Sequence, residues 1–160
     1  MSSRKETAHK VGLLFSLYFC QGLPGGFLAV VLPVILRERG ASLTTIGLAS
    51  ALNLPWLLKI LWAPAVDRWS WRRFGRRKTW IIPAHVGIVI ICAALMVVSP
   101  EEQLFSVAVL FLALNFFAAT QDVAVDGLAV DILRKDEMGP GNAAQVSGFK
   151  LGNLVGGGVL

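Results

Sequence analysis

Two carboxylates stand four residues apart in the run Gln121-Asp122-Val123-Ala124-Val125-Asp126, and a third, Asp131, follows five residues later. On an α-helix the spacing of four sets Asp122 and Asp126 on one face and turns Asp131 elsewhere. Lysines are set singly into apolar sequence, Lys59 within Leu43 to Val66 and Lys150 within Ala143 to Leu160. A carboxylate in such surroundings either exchanges a proton, faces a substrate or holds a fixed ion pair with a neighbouring helix. A lysine meets an anion, meets a carboxylate, or carries its charge to the surface along its stem. At mid-bilayer an isolated lysine costs about 2.5–3.5 kcal/mol on insertion scales, so Lys59 should face a cavity or a carboxylate. Gln21, Gln121 and Gln145 can bond a substrate or only a helix neighbour. With Asp122, Lys59 and Lys150 they are the candidates for a substrate or proton pathway.

Other chemistries lack their residues. No Ser/His or Cys/His arrangement suggests a nucleophile, and Cys20 and Cys92 sit inside apolar blocks, as inert thiols do. His85 reads as structural and His9 as solvated. Asp126-Gly127 superficially resembles the start of a metal-binding transferase signature, but no later Asp-xxx-Asp completes it. We therefore expect no enzyme, no metal and no cofactor.

The elements that must position these groups follow from hydropathy. Of 160 residues, 55% are hydrophobic and 16% charged, against about 25% charged in a typical soluble domain. The apolar residues come in blocks. A hydrocarbon core about 30 Å thick needs about 20 apolar residues of helix. The pattern predicts an all-α, multi-pass transmembrane bundle with a tail over 1–10 and spans near 11–36, 43–66, 80–98, 102–125 and 143–160, the last cut short. Ser42 caps the second helix. Ser99-Pro100-Glu101-Glu102 is a strong start for the fourth, which could run to Leu133 and project beyond the bilayer. Met138-Gly139-Pro140-Gly141 stops whatever precedes it.

Orientation comes from the basic residues. Arg4, Lys5 and Lys10, then Arg68, Arg72, Arg73, Arg76, Arg77 and Lys78, then Arg134 and Lys135 fall on alternate sides, eleven in all. The opposite side has Arg37 and Arg39 alone. The basic side is expected to be cytoplasmic, with the amino terminus inside. The same topology accounts for the net charge of +5 without nucleic acid, and Trp69, Trp71 and Trp80 fit an interfacial belt.

Glycine and proline exceed what lipid-facing helices need. Gly22, Pro24, Gly25 and Gly26 interrupt the first span, and Pro55 and Pro64 the second. They allow plain close packing or a helix that bends and lines a cavity. Gly148, Gly152 and Gly156 share one face, where another backbone can approach.

Between the second and third spans, Asp67-Arg68 followed by Gly75-Arg76-Arg77-Lys78 resembles the cytoplasmic loop motif of the major facilitator superfamily. Ala63 stands at the motif's leading glycine, and Trp69 to Phe74 replace a single residue. Three stretches point to one branch: Tyr18 to Gly26, Pro55 to Asp67 and Ala119 to Gly127. Together they resemble the AmpG permease and acetyl-coenzyme A transporter family over most of residues 11–158.

That resemblance implies the first four or five spans of a twelve-span secondary transporter, working by alternating access and driven by protons. Its substrate would be a large anion, an anhydromuropeptide or acetyl-coenzyme A, which Lys59 and Lys150 suit by charge. By the same resemblance Asp67, Arg68, Gly75, Arg76 and Arg77 form a gating loop. Asp67 and Arg76 latch the inner gate, with Asp126 or Asp131 as the partner at the end of the fourth span. The expected partners are the bilayer, the anionic solute, the proton and the remaining helices or another chain. The competing expectation is a helical membrane protein that does not transport and acts by pairing with other helices through its glycine face.

Overall fold

The computed structural model describes residues 2–69, 75–98 and 103–158, and their regular structure is entirely helical. Helix α1 (Ser2–Gly26) passes through a wide turn at Phe27–Val31 into α2 (Leu32–Glu38). The second apolar block is α3 (Leu43–Ala49), α4 (Leu54–Leu58) and α5 (Ala63–Arg68), joined by tight 3₁₀ turns. Then come α6 (Lys78–Leu95), α7 (Leu104–Ile132) and α8 (Met138–Gly158).

The irregularities trace to proline. Pro33 has no N–H for the carbonyl four residues earlier, and the helix widens so that the Leu32 N–H bonds the Phe27 carbonyl instead. Pro55 and Pro64 lie in the first turns of α4 and α5, where a missing donor is tolerated, and the chain tightens just before each. Ser42 caps α3 as expected, its Oγ accepting the Thr45 N–H at 3.1 Å.

Among the described residues, four stretches are long and apolar enough to cross a membrane: Arg4–Glu38, Leu43–Leu61, Lys78–Leu95 and Phe105–Ile132. Leu57, Ile60 and Leu61 are each more than 70% exposed, as lipid-facing side chains of the second stretch should be. The 29 residues of α7 reach about 44 Å, longer than the hydrocarbon core. The start expected at Ser99 to Glu102 lies outside the described residues. Helix α8 has 21 residues and begins five before the span expected at 143, because Pro140 in its first turn does not interrupt it. Its length suffices to span, while Asn142, Gln145, Lys150 and Asn153 dilute its apolar character.

The chain divides into two compact units, Met1–Ile46 with Leu128–Leu160, and Gly47–Gly127. In the first, α1 and α8 pack backbone to backbone. Gly148, Gly152 and Gly156 lie against the carbonyls of Phe15, Phe19 and Leu23. In return Gly22 and Gly26 lie against the backbone of Phe149 and Asn153. Both series advance by four in the same sense, so the helices run parallel. Gln145 Nε2 donates to Tyr18 Oη at 2.8 Å beside this seam.

In the second unit the contact is through side chains. Trp56 on α4 donates its indole N–H to Asn115 Oδ1 on α7 at 3.0 Å, and Trp62 donates to Thr120 Oγ1 at 3.1 Å. Both pairs advance together, so this helical block also runs parallel to α7. Gly87 on α6 admits the ring of Phe117.

Candidate functional site

Lys59 and Asp122 meet in the second unit. The short turn at Lys59–Leu61 and the parallel course of α7 bring the ammonium onto Asp122 Oδ2. The Lys59 side chain is 32% exposed and that of Asp122 is 10% exposed. The lysine nitrogen also lies 5.2 Å from the ring centroid of Trp56, within range of a cation–π attraction. The tether from Trp56 to Asn115 fixes that ring, and Asn115 Nδ2 donates in turn to the Phe111 carbonyl at 3.2 Å. The charge pair is thus seated in a frame of satisfied polar groups. Such a pair can be separated by a solute anion that takes the ammonium, or by a proton on the carboxylate.

The other pathway candidates scatter. Gln121 is 1% exposed, and neither side-chain polar atom has a partner among the described residues. Gln21 is equally buried. Gln145 is bonded to Tyr18 within the first unit. Lys150 is exposed on α8.

The loop after α5 carries the second cluster. Gly75, at φ +79°, supplies the left-handed turn that returns the chain into α6. Arg77 Nη1 donates to Asp67 Oδ1 at 2.5 Å, joining two residues of the expected gating loop. Arg77 immediately precedes α6 and its side chain is 11% exposed, whereas Arg76 is exposed. The Trp80 indole donates to the Trp69 carbonyl at 2.8 Å and ties the two ends of the loop again. Arg68, Asp126 and Asp131 are exposed. The expected contributions of Arg72 and Arg73 lie outside the described residues.

Sequence reasoning missed Glu137. It is 2% exposed and accepts from Thr7 Oγ1 at 2.6 Å, from the Arg134 backbone N–H at 2.9 Å and from Lys10 Nζ at 3.2 Å. The Thr7 hydrogen bond first, then that of the Arg134 amide, lower its pKa from 4.5 to about 2. Arg134 is three residues away, but Lys10 and Thr7, which complete its burial, lie 127 and 130 residues away, beyond any local pattern. Trp56 and Asn115 were also missed. A tryptophan three residues before a lysine was the available signal.

Apolar helices of spanning length, with an ion pair between two of them, describe a multi-pass membrane protein. The family model described as acetyl-coenzyme A transporter 1 matches residues 10–106 and 97–156. The chain belongs to that family, one of transporters and not of enzymes. It is 33% identical to an anhydromuropeptide permease of Escherichia coli over 147 residues, 92% of this chain and 30% of that protein. An uncharacterised protein of Haemophilus influenzae is 36% identical over 141 residues, 88% of this chain and 33% of its own length. An uncharacterised membrane protein of Saccharomyces cerevisiae is 34% identical over 163 residues, 88% of this chain and 29% of its own. The chain therefore spans about a third of the length of these relatives.

Proposed function

We propose that this chain forms the opening helices of a secondary transporter of the major facilitator type that moves a large anionic solute by alternating access, coupled to protons. The observation that carries the reading is the Lys59–Asp122 pair, a cation and a carboxylate held together between apolar helices. Lys59 supplies the charge an anion would seek, and Asp122 the carboxylate a proton would neutralise. Either event frees the other partner, which links solute and proton at one place. An anhydromuropeptide and acetyl-coenzyme A both fit this charge; a relative bears the first name and the matching family model the second.

The amino terminus is read as cytoplasmic, from the eleven basic residues on its side. The parallel course of α1 and α8 supports reading α8 as a further span, since helices separated by three crossings run the same way. On this topology the loop of Asp67 and Arg77 lies at the inner face and acts as a latch. The glycine face of α8 is taken up by α1, which removes the main support for a protein acting only by pairing with other chains.

The test is a chimera in which this sequence replaces the matching segment of the E. coli permease, reconstituted in proteoliposomes. Uptake of one of the two compounds is expected, reduced at least tenfold by Lys59→Ala and by Asp122→Asn, about the loss of 1.4 kcal/mol of binding. Uptake unchanged in both variants, or absent for both compounds in a correctly inserted chimera, refutes the reading. Asp67→Asn should alter the accessibility of introduced cysteines to aqueous reagents on the two sides.

A further inference from the structure

Gly127 lies on α7 one residue beyond Asp126, and the guanidinium of Arg77 lies across its bare Cα. A Cβ built on Gly127 would overlap the guanidinium carbon and both terminal nitrogens. This explains how a loop arginine comes to be only 11% exposed while bonded to Asp67. A guanidinium is planar and weakly hydrated, so it can lie over exposed backbone where an ammonium would stay in water. Three elements meet at this point: the end of α5, the start of α6 and the bare face of α7. We infer that Gly127 is a positioning residue for the loop, the socket that seats Arg77 and, through it, sets how firmly Asp67 is held. The mechanical meaning of that socket, as part of an inner latch, rests on the transport reading above.

Ordinary close packing of helices would look different. At Gly148, Gly152 and Gly156 the atoms in the way of a Cβ are backbone, whereas at Gly127 they are the movable end of one side chain. A methyl group at 127 therefore leaves room for α7 and displaces Arg77. The backbone hydrogen bonds of the turn are the reporters, since the Trp80 and Ile81 amides donate to the Arg77 carbonyl at 3.1 and 3.0 Å and the Thr79 amide to the Gly75 carbonyl at 3.2 Å.

The experiment is hydrogen exchange of these amides in the chain held in lipid nanodiscs, for the parent, Gly127→Ala, Arg77→Ala and the double variant. Each single change is expected to speed exchange of amides 79–81 severalfold with helicity unchanged. The double variant should exchange no faster than Arg77→Ala alone, because both changes remove the same interaction. Exchange unaltered by Gly127→Ala, or single effects that multiply in the double variant, would overturn the inference. Coupling of 127 to 77, together with Asp67→Asn leaving sided accessibility unchanged, keeps the socket and discards the latch.

Discussion

The two units of this chain join helices in opposite ways. In the first, α1 and α8 touch through backbone, glycine against carbonyl, at three successive turns. In the second, the block α4–α5 meets α7 through long side chains: Trp56 on Asn115, Lys59 on Asp122, Trp62 on Thr120. Backbone contact leaves no alternative arrangement at the same separation, because nothing between the helices can change rotamer. Side-chain contact can be broken and remade with small cost in backbone geometry. The contrast assigns stiffness to the first seam and exchangeable bonds to the second, where the charged pair sits.

The sharpest attack on this contrast is Gly152→Val. Its side chain would strike the Phe19 carbonyl and the Gly22 backbone, so destabilisation near 3 kcal/mol, the upper end for overpacking, is expected in denaturant unfolding. A loss under about 1 kcal/mol would show that the seam can part. Next is the charge pair. Asp122→Ala should destabilise by about 2 kcal/mol, less than the roughly 3–5 of a fully buried pair, because Lys59 is a third exposed. Lys59→Met with Asp122→Leu should restore most of that stability and none of the uptake; recovered transport would remove the pair from the pathway. Asn115→Leu leaves the Trp56 N–H without its acceptor and is expected to lower stability by about 1 kcal/mol. A red shift of tryptophan emission should accompany it as the ring is released.

The last test is a proton titration in the first unit. Glu137 is held at about 2 in the folded chain against an ordinary 4.5. A lowered carboxylate pKa stabilises the fold above the ordinary value, and that contribution is lost as pH falls from about 4.5 toward 2. Glu137→Gln should flatten the acid limb of the stability profile, and an unchanged slope would show that the carboxylate is not clasped in solution.

Much of this was legible in the residues. Block length gave the helices, and Ser42 gave a cap that the structure contains. Lys59 was marked as facing a cavity or a carboxylate, and Asp122 as a titrating, substrate-facing or ion-paired group, since uncompensated charge is costly in lipid. Their partnership was not legible, because 63 residues separate them and either could have paired elsewhere. Glu137 looked like one more acid in a polar turn. Arg76 and Arg77 are adjacent and chemically identical in sequence, so no local pattern showed that Arg77 would bond Asp67.

Composition and periodicity by themselves settled that the chain is a bundle of apolar helices, because these depend on local hydropathy and on residues a few positions apart. Which helix faces which, that Arg77 bonds Asp67, which glycine receives a backbone and which receives a guanidinium were decided only on folding. Those choices turn on distances between residues remote in the chain, and no local pattern encodes them.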